Sequence, residues 1–139
     1  MLLELESGFS DEQAITSSAA STNYIKTGGL IKEIAYGNPI PIRIQVVEDF
    51  ATCTSVEFKI QTADNTSFTN AVDLATTGAV PTAKLKAGYV APILYVPKGS
   101  LGYLRIYYTV TGSNATTGKV TAGFVAGHDN SYQDLMPST

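Results

Sequence analysis

Two stretches of the sequence alternate apolar and polar residues with a period of two, and this pattern constrains the fold most strongly. The first runs from Ile40 to Val47 and the second from Tyr103 to Thr111. Successive side chains of a strand point to opposite faces, so each stretch predicts a strand with one face in the core. The predicted inward residues are Ile40, Ile42, Ile44 and Val46 in the first strand, and Leu104, Ile106, Tyr108 and Val110 in the second.

Shorter segments of the same kind lie between and after these two. Residues 56–61 repeat the alternation, residues 72–75 form a brief apolar segment, and residues 119–126 follow a Thr-Gly-Ser-Asn sequence at 111–114. Because that sequence has turn-forming chemistry, it predicts a hairpin between residues 103–111 and 119–126. Residues 89–96 predict a strand that lies at a sheet edge or carries a bulge, since Pro92 has no N–H group for a central ladder.

Helical patterns are almost missing from the sequence. Ser10, Asp11, Glu12 and Gln13 fit a capping box, but the Thr, Ser and Ala residues that follow give little apolar surface. We therefore expect an extended arm there, not a helix. The sequence predicts an all-β fold, a jelly-roll-like β-sandwich of six to eight short strands, with an arm at 1–22, a sandwich at 23–126 and a tail at 127–139.

Composition excludes several classes of protein. The 139 residues carry a net charge of −3 with nine basic side chains, so no polybasic stripe is available for nucleic acid. No apolar run approaches the roughly 20 residues that cross a bilayer. The first six residues lack a basic region and a long apolar stretch, so we expect no signal peptide and synthesis in a cytoplasm. We expect neither a nucleic-acid nor a membrane partner.

Candidate catalytic and metal-binding residues are few. His128 is the single histidine and Cys53 the single cysteine, so the ligands of a multi-thiolate zinc site or a histidine-rich metal site are lacking. Cys53 has no histidine or basic residue beside it in sequence that would activate the thiol, which favours a structural role. Five carboxylates could be considered for glycoside hydrolysis: Glu48, Asp49, Glu57, Asp64 and Asp73. Their separations do not follow from the sequence. We expect no enzyme and no cofactor.

The polar face of the second alternating strand suggests a binding surface. Tyr103, Arg105 and Tyr107 share that face, and Tyr and Arg are enriched at protein–protein hot spots. Ordinary cross-strand packing, or burial of this strand between two sheets, explains the same residues equally well. Charged residues make up only 15% of the chain, which suits a surface packed against copies of itself or against a shell. An extended 22-residue arm would reach about 70 Å, enough to cross a neighbouring subunit.

Three blocks of the sequence resemble a known family. They are residues 9–25, which run from Phe9 through Ala20-Ser21-Thr22-Asn23-Tyr24-Ile25, then Val96-Pro97 with residues 103–112, and then residues 118–125. In order and spacing they are similar to the jelly-roll cement (decoration) proteins of tailed phages, typified by the Bordetella podophage cement protein. The resemblance covers residues 9 to about 126, and the tail after Gly127 lies outside it.

The resemblance implies a structural virion protein on the outer surface of an icosahedral phage head. Such a protein would clamp neighbouring capsomers of an HK97-like major capsid protein, and would itself be a homodimer or homotrimer. As contact residues we predict Phe9, Ile15 and Tyr24 in the arm and Tyr103, Arg105 and Tyr107 on the strand face. The alternative is a carbohydrate-binding β-sandwich of a virion or cell surface, whose tyrosines would stack on sugars.

Overall fold

The computed structural model describes residues 3–26, 41–93, 95–96 and 101–125. The structured elements within these ranges are strands β1 (Leu3–Ala14), β2 (Ala19–Ala20), β3 (Ile25–Lys26), β4 (Ile42–Ala63), β5 (Val72–Pro81) and β6 (Tyr103–Val125), with a 3₁₀ turn at Thr82–Lys84. The strands are hydrogen-bonded in the order β1-β6-β4-β5, and β2 and β3 also pair with β6. Every pairing is antiparallel.

Two long strands, β4 and β6, organise the whole fold. They are 22 and 23 residues long, and their pairing runs from Ile42 opposite Phe124 to Ala63 opposite Tyr103. The ladder is irregular in the middle, between Val46 and Ser55 of β4, where four register shifts follow one another. Bulges of this kind bend a strand and increase its twist. The two strands therefore bend together at one place.

The bend folds the two halves of the sheet face to face. Ser10 of β1 pairs with Ala122 in the second half of β6, yet its hydroxyl lies 2.7 Å from that of Tyr108 in the first half. In a straight strand Tyr108 and Ala122 would be more than about 40 Å apart, at roughly 3.3 Å per residue. The contact thus requires two layers, and the predicted all-β sandwich is confirmed.

Each layer contains one half of each long strand. We call the layer of residues 55–63 and 103–111, with β2, β3 and β5, the first layer. The second layer contains residues 42–48 and 119–125 with β1. Residues 88–91 hydrogen-bond along the free side of β4 there, through Gly88 N–H to Val46 O at 2.8 Å and Ala91 N–H to Ile44 O at 2.9 Å. The strand predicted for residues 89–96 is therefore replaced, in its described part, by two isolated bridges beside β4, Gln45 with Val90 and Pro41 with Tyr95.

One apolar core fills the space between the layers. The predicted alternation is confirmed for the described residues of both strands, although Val110 is only partly buried against the core. The other inward side chains are buried. These are Ile42, Ile44, Val46, Val56, Phe58, Ile60, Leu104, Ile106 and Tyr108. Ile40 lies outside the described residues. The Cys53 side chain is also buried, and its sulfur lies 3.3 Å from the Thr82 hydroxyl, so the residue has the predicted structural position.

The predicted hairpin between residues 103–111 and 119–126 is wrong. Residues 111–118 continue β6 without reversing the chain. Ala51 pairs with Thr117 while Cys53 pairs with Gly112, so β6 has extra residues at the bend. The Thr-Gly-Ser-Asn sequence therefore forms the outer side of a bulge, which uses the same conformational freedom as a turn.

Glycine is required at the bend because an aromatic ring lies against the backbone. Gly118 has φ of +138°, and a Cβ atom there would meet the Phe50 ring at 2.5 Å. The Phe50 side chain is buried, and the backbone N–H of Phe50 donates to Leu85 O at 2.9 Å. The ring thus packs directly on the Gly118 backbone, which fixes the path of β6 as it enters the second layer.

The separate arm predicted for residues 1–22 is not what the described part of that segment forms. Residues 3–14 are strand β1, paired with the second half of β6. Residues 15–22 then cross between the layers, with Ile15 N–H donating to Gly118 O and Ser21 N–H donating to Ile106 O. Gln13 stabilises this crossing, since its amide donates to Ala20 O and accepts from Thr22 N–H. The tail at 127–139 lies outside the described residues.

Candidate functional site

The outward residues of the first layer lie where the alternation predicts. Tyr103, Arg105 and Tyr107 stand on the face of β6 opposite the core, each beside an outward residue of β4. Arg105 pairs with Gln61, and Tyr107 pairs with Lys59. Side chains directly opposite one another in antiparallel strands are in contact range. The face is therefore a continuous surface across two strands.

Arg105 is held in place on this surface by three side chains. Its Nε donates to Gln61 Oε1 at 2.9 Å. Its guanidinium carbon lies 4.4 Å from the centre of the Phe68 ring and 5.3 Å from that of Tyr107, which are cation–π distances. Burial lowers the pKa of Arg105 from its ordinary value, with a smaller opposing effect from Tyr107. The group remains a cation at neutral pH.

The Phe68 ring comes from a tight loop that folds back over the sheet. The Asn65 side chain closes this loop by accepting from Thr69 N–H at 3.0 Å and donating to Thr69 O at 3.3 Å. Phe68 itself has φ of +53°, in the left-handed region that residues with a Cβ seldom occupy. Its side chain is nevertheless buried, because the ring covers Arg105. Phe68 was not among the predicted contact residues, and the signal that could have indicated its folded-back ring is the turn-forming sequence Asp64-Asn65-Thr66-Ser67 directly before it.

Tyr24, which lies between the crossing segment and β3, completes the surface. Its ring meets Tyr103 edge-on at 5.7 Å between centres and Phe68 at 6.0 Å. Tyr24 remains 48% exposed, whereas Phe68 is buried beneath it. We call the set Tyr24, Phe68, Tyr103, Arg105 and Tyr107 the aromatic face. Four of these five residues were predicted as contact residues from the sequence.

A charged network borders the aromatic face on the β5 side. Lys59 Nζ lies 3.6 Å from Asp73 Oδ2 and 4.0 Å from Glu57 Oε1. The Gln61 amide donates to Asp73 Oδ1 at 2.9 Å while its oxygen accepts from Arg105. Gln61 thus links the cation of the aromatic face to the carboxylate of the network. Its two ends are oriented by partners of opposite charge.

Further apolar side chains are exposed near the end of the same layer. Val72 and Leu101 are both exposed, and both are adjacent to Thr62. Val72 pairs with Thr62 across the ladder, and Leu101 N–H donates to the Thr62 hydroxyl at 2.8 Å. Tyr103, the partner of the next β4 residue, is in contact with Tyr24. Exposed apolar area therefore continues from the aromatic face to this end of the sandwich.

The other two predicted contact residues, Phe9 and Ile15, are in the core. Both side chains are 0% exposed, and Phe9 packs edge-on against Phe124 at 5.6 Å between ring centres. They were predicted as contact residues on an extended arm, but their burial in the core leaves no surface that a partner could reach, and they do not join the aromatic face.

Four of the five candidate catalytic carboxylates form local ion pairs, and the fifth, Asp64, accepts a hydrogen bond from the Asn65 amide. Glu48 lies 3.9 Å from Lys119 and Asp49 lies 4.0 Å from Lys86, in both cases on exposed surface near the bend. Within the described ranges, no group of three or more His, Cys, Asp or Glu side chains could hold a metal ion. Among those same residues, no helix is long and apolar enough to cross a membrane. His128 lies outside the described part of the chain.

The fold and the surface together define the class of this chain: an all-β sandwich that presents an aromatic and cationic face on one layer. A family model, Bbp16, matches residues 9–124, more than four-fifths of the sequence. The chain belongs to the Bbp16 family, a phage protein family that carries the name of a Bordetella phage protein. No curated protein matches the chain. The matched range contains every residue of the aromatic face.

Proposed function

We propose that this protein is a capsid cement protein. It binds the outside of the icosahedral phage head and clamps neighbouring capsomers of an HK97-like major capsid protein. Two findings support the proposal: the chain belongs to a phage protein family, and its fold is a small β-sandwich with an exposed aromatic face. The proposal contains no catalytic step and no cofactor, and it includes self-association as a homodimer or homotrimer.

The aromatic face is the observation that carries the proposal. Tyr24 and Tyr103 supply large rigid surfaces, and Arg105 supplies a positioned cation between two rings. Interfaces concentrate their binding energy in residues of these types, surrounded by contacts that exclude water. The core does not account for the exposed position of Tyr24, which is half open to solvent although it is aromatic. This face is therefore the proposed contact with the shell.

A modest interface is sufficient for this function. A protein that binds the assembled lattice, but not free subunits, stabilises the lattice by mass action. If each copy or oligomer contacts two capsomers, the second contact forms at a high effective concentration and raises the overall affinity. Repetition of the aromatic-face contact over a symmetric shell therefore raises the overall affinity, although each single contact is modest.

The test is co-sedimentation of the purified protein with shells of its source phage from which this protein has been removed. We expect saturable binding at a fixed ratio to the major capsid protein and a higher melting temperature of the shell. Tyr24→Ala should weaken binding at least about tenfold, as loss of a hot-spot aromatic does. Tyr95→Ala is the matched control, because Tyr95 is 47% exposed but lies beside Pro41 in the second layer.

One result would overturn the proposed function, and another would change only its contact surface. Wild-type protein that does not bind shells at any concentration would exclude the cement function. Binding to a glycan array by the same preparation would then support the alternative, a carbohydrate-binding module in which the exposed tyrosines stack on sugars. Equal shell binding by wild type and Tyr24→Ala would instead retain the function and exclude the aromatic face as the contact.

A further inference from the structure

Arg105 differs from Lys59, its cationic neighbour in the first layer, in its charge partners. Lys59, its neighbour across the face, has carboxylates within 4.0 Å on both Glu57 and Asp73. No described carboxylate lies at salt-bridge distance from Arg105, whose nearest polar partner is the neutral amide of Gln61. Among the described residues, none accepts a hydrogen bond from its two terminal Nη nitrogens. As far as the described residues go, these charged donors are therefore available to an acceptor on a partner.

The guanidinium group is also prepared in one orientation. Phe68 lies over it at 4.4 Å and Tyr107 at 5.3 Å, while Gln61 accepts from Nε. Gln61 is itself fixed by its hydrogen bond to Asp73. A side chain held in this way loses little conformational entropy when it binds, so more of the interaction energy appears as affinity. The fork of Nη groups matches the two oxygens of a carboxylate.

The surroundings favour a single carboxylate over a polyanion. Asp73 and Glu57 carry negative charge on the same layer, and the whole chain has a net charge of −3. A nucleic-acid backbone, with its closely spaced phosphates, would be repelled by these groups. A lone acidic side chain set among apolar neighbours carries one charge and is repelled much less. The rings of Tyr24 and Tyr103 provide apolar contact around it and lower the local dielectric, which strengthens an ion pair.

We infer that Arg105 is the anchor, on the aromatic face, for an Asp or Glu side chain of the partner protein. Gln61 and Phe68 hold the Arg105 side chain in the orientation that this contact needs. This inference rests on the proposed function, because it takes the partner to be the capsid lattice. It adds the chemistry of the contact: a charge-assisted pair at the centre and apolar contact with Tyr24 at the rim. The expected complement on the shell is an acidic residue beside an apolar one.

The first test compares Arg105→Gln with the control Arg43→Gln in co-sedimentation with stripped shells. Arg43 has the same charge and a similar bond from its Nε to Gln45 at 3.3 Å, but belongs to the second layer. Arg105→Gln should weaken binding about 30-fold or more, the effect of leaving a desolvated charge unpaired. Arg43→Gln should bind as wild type. Equal weakening by both variants would show a general effect of net charge and overturn the inference.

The second test identifies the acceptor directly. Arg105→Lys and the control Arg43→Lys are bound to shells and treated with a zero-length carbodiimide, which joins an amine to a carboxylate in contact. Mass spectrometry should find a cross-link from position 105 to an Asp or Glu of the major capsid protein, and none from position 43. If Arg105→Lys does not bind, titrating wild type with salt replaces this arm. Affinity should then fall with ionic strength for wild type and not for Arg105→Gln.

The outcomes distinguish the proposed cement function from the proposed carboxylate contact of Arg105. Shell binding without a cross-link from position 105, or with equal salt dependence of wild type and Arg105→Gln, retains the cement function and overturns the carboxylate anchor. Failure of wild-type protein to bind shells overturns both. A variant that fails to fold is recognised by its melting temperature. In that case Gln61→Leu, which removes the acceptor of Arg105 Nε, should weaken binding, and unchanged binding by it would contradict the inference.

Discussion

The hydroxyl groups of Ser10 and Tyr108 lie 2.7 Å apart and join the two layers of the sandwich through its core. Ser10 also donates to Gln13 Oε1 at 2.6 Å. Because a serine hydroxyl has one hydrogen, Tyr108 is the donor in the contact between the layers. The Tyr108 side chain is fully buried and its ring meets Phe58 edge-on at 5.9 Å. The two layers are thus joined by a buried hydrogen bond in a region that is otherwise apolar.

Ser10→Ala should destabilise the protein by about 1–3 kcal/mol, because it leaves the buried hydroxyl of Tyr108 without its acceptor. The measurement is urea unfolding at neutral pH. Tyr108→Phe removes the other partner, and the double variant leaves no orphaned group from this pair. We therefore expect the double variant to lose less stability than the sum of the two single changes. Strict additivity would show that the hydroxyls do not interact.

The buried phenol also predicts a loss of stability in alkali. Burial raises the pKa of Tyr108 above its ordinary value near 10, and the hydrogen bond with Ser10 opposes this only in part. The folded state therefore holds the proton more tightly than the unfolded state. This contribution is complete below pH 10 and decreases as pH rises above 10.

The measurement for this second prediction is the free energy of unfolding of wild type and Tyr108→Phe between pH 8 and pH 11. The phenylalanine variant has no phenol to ionise, so its stability should decline less steeply at the alkaline end. Parallel curves for the two proteins would mean that other groups produce the alkaline decline.

Gly118→Ala should be among the most disruptive small changes in the chain. The new methyl group would lie 2.5 Å from a Phe50 ring atom, on a backbone that an L-residue with a side chain seldom adopts. We expect a loss of about 3 kcal/mol or more, from overpacking combined with backbone strain. Gly88→Ala is the matched control: φ is +98° there, but nothing lies within 4 Å of a new Cβ. A thermal melt that ranks the two equally would contradict this account of the bend.

Phe9→Ala and Tyr24→Ala should separate folding from binding. Phe9 is fully buried, so its truncation should cost about 3–5 kcal/mol in urea unfolding. Tyr24 is half exposed, so its truncation should lower the free energy of unfolding by less than about 1 kcal/mol. Shell binding should show the opposite order when both proteins are kept at a temperature where they are folded. A large loss of stability in Tyr24→Ala would assign its ring to the fold.

The alternation of side chains was sufficient to predict which residues of the long strands face the core. Leu104, Ile106 and Tyr108 are buried as expected, because the period of two depends on strand geometry alone. The length of β6 was not predictable in the same way. Gly112 and its neighbours have the chemistry of a turn, and only their pairing with β4 makes them a bulge. Long-range pairing decides between these two uses of the same residues.

The aromatic face was predicted in part for a similar reason. The shared face of Tyr103, Arg105 and Tyr107 follows from the strand period. The position of Phe68 depends on a loop that folds back, and that of Tyr24 depends on the crossing segment that precedes β3. Phe9 was misassigned because a buried strand and an extended arm use the same apolar residues. Contacts between distant parts of the chain distinguish them.

The pairing of β6 has a consequence for the order in which the chain can fold during translation. In the described part of the sheet, β1, β2 and β3 have β6 as their only strand partner. Ser10 leaves the ribosome long before Tyr108, with a sequence separation of 98 residues. At about 5–20 residues per second this is a delay of roughly 5–20 s. During that interval the strands made first have no ladder to join, so a nascent chain that stalls before Tyr103 exposes them to chaperones and proteases.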